Sequence, residues 1–201
     1  MLNYSNIFDN EGLTYTDYRK LVDHLLAAGE TTGPDNSDAM LHYTKMNVQR
    51  MNRVDKTTVL NEETLNAIDQ INGKYHFLVI TEGWCGDAAQ IVPIINKIVA
   101  AAPTKFDLKL VLRDKNLALI DAHLTNNGRA IPVLLILDEN KELSLPKWGP
   151  RPAILQSLLA QWKTENSDMM LLAEQLHGWY AKDKTQTTQA GLNELLKGLE
   201  L

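Results

Sequence analysis

The chain has 201 residues, 44% of them apolar, and carries 25 acidic against 20 basic side chains for a net charge of -5. That suits one domain of ordinary size, or a compact domain with added helices, with enough apolar material to fold without cross-links. Lys and Arg are scattered without a basic block, which argues against a nucleic-acid partner; the single cysteine excludes an internal disulfide, and five dispersed histidines offer no metal-ligand spacing, so no metal is expected.

The N-terminal stretch MLNYSNIFDNEG has neither the basic segment nor the apolar block of a signal peptide, and the longest unbroken apolar run, IPVLLIL from Ile131 to Leu137, is far too short to span a bilayer. A cytoplasmic protein without a membrane partner is the expectation. Residues 14 to 29 predict a helix, with Thr16 as N-cap, Leu21, Val22, Leu25 and Leu26 on one face, and Gly29 at the stop. After the loop ETTGPDNS, a second helix is predicted from Ser37 or Asp38 to about Val54, where Met40, Leu41, Tyr43, Met46, Val48 and Met51 recur at roughly helical spacing; these methionines read as core filling. A third runs from an Asn61 cap to about Ile71, with two glutamates near the positive end of its dipole.

At Gly73 the texture changes. Tyr75 to Thr81 is an apolar, β-branched run of central-strand length. Cys85 to about Ala102 reads as helix, Phe106 to Leu112 as strand, and Asn116 to Leu124 as helix. Pro132 to Leu137 and about Leu143 to Trp148 flank the turn DENKE as a hairpin. Helices follow from Ala153 to Trp162, Asp168 to Tyr180 and Thr188 to Leu199. The order between 73 and 163 is therefore β-α-β-α-β-β-α. A right-handed crossover makes the first two strands parallel, the hairpin makes the last two antiparallel, and a four-stranded mixed sheet with helices on both faces results.

This order resembles the thioredoxin fold, and three features fall where that family has them: Trp84-Cys85-Gly86 between the first strand and its helix, Pro93 eight residues after the cysteine, and Ile131-Pro132 at the start of the third strand. The resemblance implies an α/β thioredoxin-like domain over 73–163, a proline kink in the active-site helix, and a cis-proline facing the reactive sulfur. It leaves residues 1–72 as an N-terminal helical extension and 164–201 as C-terminal helices, both expected to pack on the domain in one compact unit. The strings WCGDAAQ, NNGRAIP and WGPRP are similar to a largely uncharacterised bacterial subfamily with Trp-Cys-Gly-Asp-Ala in place of the dithiol motif. Two departures concern one step: Ala88 stands where the resolving thiol belongs, and Val79 where thioredoxins bury an aspartate that serves it.

A lone thiol at a helix N-terminus can still become a nucleophile, because unpaired N–H groups and the helix dipole favour thiolate. Asp87 opposes this: at a separation of about 6 Å its repulsion, roughly 1 to 3 kcal/mol, is comparable with a helix-terminus contribution of about 0.3 to 2 kcal/mol. Arg113 and Arg129 stand near strand ends on the reactive rim in this topology, where either would neutralise Asp87 or attract an acidic ligand such as glutathione, while the bland reading of each is a solvated arginine. Arg151, between Pro150 and Pro152, reads as organising a turn. The expected site is Cys85 as catalytic residue, with Trp84, Gly86, Asp87, Ile131, Pro132, Arg113 and Arg129 as substrate-binding residues. Three functions are compatible with it. One is monothiol thiol-disulfide exchange through a mixed disulfide, with a partner protein or peptide, or glutathione as co-substrate and no bound cofactor, resolving it. The second is a non-catalytic thioredoxin-fold module that binds a peptide or protein beside Pro132. The third, peroxide reduction, lacks any supporting signature.

Overall fold

The computed structural model describes residues 2–199. Helix α1 (Tyr4–Asn6) runs into a π-helical turn, Ile7–Glu11, and is followed by α2 (Tyr15–Ala27), α3 (Asp38–Thr57) and α4 (Glu62–Gln70). Then come β1 (Tyr75–Thr81), α5 (Gly86–Ala101), β2 (Phe106–Leu112), a 3-10 turn at Arg113–Lys115, α6 (Leu117–Asp121) and β3 (Val133–Leu137). Helices α7 (Ala153–Glu165), α8 (Met169–Asp183) and α9 (Gln186–Leu196) complete the described chain.

Side-chain caps fix several helix starts. Thr14 accepts from Asp17 N–H, Ser37 from Met40 and Asn61 from Thr64, so the cap of α2 is Thr14, two residues before the Thr16 expected from the sequence. Gly29, at φ +75°, takes the left-handed conformation that follows α2.

The sheet has the order β2-β1-β3. Strands β1 and β2 are parallel, with Tyr75 opposite Phe106 and Thr81 opposite Leu112, while β3 runs antiparallel to β1, with Ile80 opposite Val133. Every residue of β1 and β3 is buried, as a sheet covered on both faces requires. The expected fourth strand is not formed among the described residues. Instead, two isolated bridges join Leu134 to Trp148 and Leu137 to Leu143. Their registers differ by two residues, and between them stands Pro146, which has no N–H to donate; the edge therefore breaks into a kinked strap. At the opposite edge, Leu13 exchanges two 2.8 Å backbone hydrogen bonds with Leu110 and partly covers β2.

The flanking helices pack on this core. Helix α3 lies along α5 and α2 reaches β2, while α4 and α9 pack on each other and on α5. The buried face of α3 is Thr44, Asn47, Met51 and Val54, offset from the apolar stripe expected there. It includes two polar residues because each has a partner: Thr44 donates to Met40 O, and Asn47 donates to Gly83 O at 3.1 Å. Covered by α3 and α9 as well as the sheet, α5 is buried from Asp87 through Ile95, including Pro93.

Three ends meet at one edge of the sheet: the C-termini of β1 and β2 and the N-terminus of β3. The strap returns to the same place, since Gly149 has φ +118° and a Cβ built on it would lie 2.3 Å from Pro132 O. Gly149→Ala is expected to destabilise the protein by at least ~2 kcal/mol in urea unfolding. Gly29→Ala, with nothing within 4 Å of the added carbon, is expected to cost only about 1 kcal/mol. Equal losses at the two positions would contradict the close approach of strap and proline loop.

Candidate functional site

Cys85 is the N-cap of α5, in extended backbone, 8% exposed. Its sulfur accepts the Ala88 N–H at 3.5 Å and its thiol donates to Ile131 O at 3.3 Å. The Ile131–Pro132 peptide is cis. Burial, followed by repulsion from Asp87, pushes the thiol up to about 12, against the weaker pull of the α5 N–H groups and the Arg151 charge. At neutral pH the sulfur is therefore a protonated hydrogen-bond donor in this conformation.

Asp87 is 5% exposed and fully engaged. Arg151 reaches it with Nε at 3.1 Å and Nη2 at 2.5 Å, and the Tyr180 hydroxyl donates to Oδ1 at 2.7 Å. The partner is thus Arg151, which arrives on the strap, rather than Arg113 or Arg129. Arg113 pairs with Asp114 and stacks 4.6 Å over the Trp84 ring, and Arg129 forms an exposed bidentate pair with Asp121. Arg113 also reaches Arg129 O at 3.4 Å, so Trp84 and the two arginines form one rim. Ile131 and Pro132 are buried, which leaves half-buried Trp84 as the accessible apolar contact.

Gly86 faces α8. A Cβ there would come within 2.7 Å of both Cε1 and Nε2 of His177, so the glycine lets that imidazole lie against the start of α5. Burial, assisted by the positive charges of Arg50 and Arg53, lowers His177 to about 4, and the neutral ring lies 3.3 Å from the Gln90 amide. Helix α8 thus closes one side of the thiol with His177 and Tyr180. Neither carries a signal in the sequence, because both lie on an extension helix whose docking only the fold reveals.

Glu82 is a further site residue that motif reading passes over. It is completely buried, accepts the Asp114 N–H at 2.9 Å, and is bonded by the Thr32 hydroxyl, which in turn accepts the Gly83 N–H. Burial raises it to about 7, more than these hydrogen bonds lower it. An acid three residues before the cysteine, directly after an apolar strand, was the available clue. Val79, at the position of the missing aspartate, and Ala88, at that of the missing thiol, are buried in hydrocarbon. Among the described residues no group of His, Cys, Asp and Glu could hold a metal, and no helix is long and apolar enough to cross a membrane.

This strand–cysteine–helix arrangement opposite a proline loop defines a thioredoxin-type site. The family model described as thioredoxin matches residues 33–163, and the chain belongs to that family. No curated protein matches it. Among solved structures it is similar to a protein of unknown function, PA1234 from Pseudomonas aeruginosa, at TM-score 0.60 and 17% identity over 97% of this chain and 99% of that one. It is also similar to an HIV epitope-scaffold, at TM-score 0.50 and 16% identity over 90% of this chain and 99% of that one. These likenesses concern the fold alone, and the first extends over both helical flanks.

Two predictions test the electrostatics. Because folding raises Glu82 to about 7 from an ordinary 4.5, its stabilising contribution is complete below about pH 4.5 and is lost as pH rises through 7. Wild type should lose ~3 kcal/mol relative to Glu82→Gln between pH 4 and 8. Parallel pH profiles of urea unfolding for the two proteins would refute it. Arg151→Met should cost about 3 to 5 kcal/mol by leaving a buried carboxylate unpaired, and adding Asp87→Asn should restore most of that. An additive double mutant would show that the pair is not coupled.

Proposed function

We propose that this protein is a thioredoxin-fold peptide- or protein-binding module in which Cys85 serves as a structural hydrogen-bond donor rather than a resting nucleophile. The observation that carries this reading is the thiol itself: buried, donating to Ile131 O, and raised to about 12. A thiolate attacks disulfides and a thiol does not. The loss of a resolving cysteine at Ala88 and of an acid at Val79 fits the same reading, since both would serve turnover. The surface left for a ligand is the rim of Trp84, Arg113 and Arg129, where Trp84 offers an apolar contact and an acidic segment would have to displace Asp114 and Asp121 from the two guanidinium groups.

Monothiol exchange is the second reading, supported by a different observation. The Ala88 N–H points at the sulfur and Arg151 neutralises Asp87, so the local groups that stabilise a thiolate are present once burial is relieved. Movement of α8 away from Gly86 would open the sulfur to glutathione or a protein disulfide.

Alkylation of Cys85 against pH separates the two. The binding-module reading predicts that at neutral pH the site holds roughly a thousandfold less thiolate than free cysteine, with reaction rising toward pH 12. A midpoint in or below the ordinary thiol range, together with trapping of a glutathione adduct, would replace the first reading by the second.

A further inference from the structure

Between α3 and α8 lies an open groove of about 640 Å3, a volume within the range of small-molecule sites. Tyr43 and Met46 line it from α3, and Met170, Leu171 and Ala173 line it from α8. Met170 is 75% exposed and Leu171 48% exposed, and with Met169 they make three successive uncovered apolar side chains on a helix that buries only Leu172 and Tyr180.

The cation of this groove is Arg50, half-buried in its α3 wall. Its Nη1 donates to Asn47 Oδ1 at 2.7 Å, and it forms no ion pair among the described residues. None of its other nitrogens is among the buried, unbonded atoms, so they remain accessible. Burial, and then the like charge of Arg53, disfavour its ionised form, which leaves the guanidinium uncompensated. Two carboxylates line the groove, and neither is its partner. Asp168 caps α8 by accepting the N–H groups of Met170 and Leu171 at 2.8 and 3.4 Å, while Glu174 stands exposed on the ridge shared with the neighbouring groove between α7 and α8.

Gly178 also lines the groove, inside α8. A glycine within a helix costs about 1 kcal/mol relative to alanine. No close approach requires this one, because an added Cβ would meet nothing within 4 Å. What the missing side chain does is keep the groove open.

We propose that this groove binds a small amphiphilic carboxylate, an aliphatic or aromatic monocarboxylic acid, whose carboxylate pairs with Arg50 while its apolar part covers Met46, Met170 and Leu171. An inorganic anion would answer the guanidinium and leave the apolar wall in water, and a neutral apolar ligand would do the reverse. The proposal needs no particular state of Cys85, so it stands or falls apart from the function proposed above.

Isothermal titration calorimetry of the full chain with octanoate and with 4-phenylbutyrate, at constant ionic strength, tests it. Saturable binding of at least one acid is expected, and the tighter of the two tells an aliphatic from an aromatic ligand. The corresponding alcohol should bind about tenfold more weakly, since it forfeits the charge-assisted hydrogen bonds to Arg50. Arg50→Gln should remove that difference between acid and alcohol. Gly178→Leu, which trades a helix-weakening residue for a helix former in open space, should melt no lower than wild type and bind neither; it decides the matter even if loss of the Arg50 brace on Asn47 unfolds the other variant. No saturable binding of either acid, an alcohol as tight as its acid, or wild-type affinity in Gly178→Leu overturns the proposal.

Discussion

The carboxylate of Asp87 is buried two residues from a sulfur, and the site is arranged around making that burial tolerable. An isolated carboxylate in such a place would neutralise itself or unfold the helix end. Here Arg151 meets it with two nitrogens and Tyr180 with a hydroxyl, at distances from 2.5 to 3.1 Å. Those two residues come from different parts of the chain, so one carboxylate ties the strap after β3 and the C-terminal helix α8 to the first turn of α5. The Cys85 environment follows from this tie. With α8 held down, His177 lies against Gly86 and the thiol loses the solvent that would favour its charged form.

The helical extensions consequently contribute to the chemistry of the site as well as covering the sheet. Asn47 on α3 bonds the carbonyl of Gly83, and Arg50 bonds Asn47 at 2.7 Å, fixing the loop before the cysteine. The loop before α3 does the same through Thr32, which bridges Glu82 and the Gly83 amide. A short loop between strand and cysteine that is held at both its carbonyl and its amide has little freedom, which keeps the thiol in its bond to Ile131 O.

Much of this architecture was legible in the sequence because its signals are local. The runs Tyr75–Thr81 and Phe106–Leu112 form strands with those same bounds, since a continuous apolar, β-branched stretch of that length has few alternatives. Asn61 caps the helix that it is expected to cap, and Ser37, one of two expected starts of α3, is its N-cap. Misreadings arose where a long-range contact decides the outcome. The hydrophobic pattern of Leu143–Trp148 suggests a strand, but Pro146 and the two-residue register change cannot be weighed without the partner strand in view. Arg151 reads from the sequence as organising its turn, and Arg113 and Arg129 as possible partners of Asp87 among other roles, because chain order shows which strand ends adjoin but not how far a strap folds back. For Asn47, His177 and Tyr180 no pattern exists: a polar residue on an extension helix acquires its role only when that helix docks.

Replacement of the second thiol and its acid by Ala88 and Val79 also moves the electrostatic centre of the site. In the dithiol sites that this one resembles, a buried acid serves the second thiol. Here both positions are hydrocarbon, with Val79 fully buried and Ala88 1% exposed, and no group there can accept a proton. The carboxylate that titrates near neutrality is Glu82, reached from Thr32 and from the amide of Asp114, the ion-pair partner of Arg113. With the thiol raised to about 12 and His177 lowered to about 4, a change of pH around 7 alters charge at Glu82, beside the Trp84–Arg113 rim, and leaves the sulfur and the imidazole as they were. Within the site, proton linkage near neutrality therefore belongs to Glu82, and a ligand that prefers one of its charge states must shift its pKa by the same free energy that the proton contributes to binding.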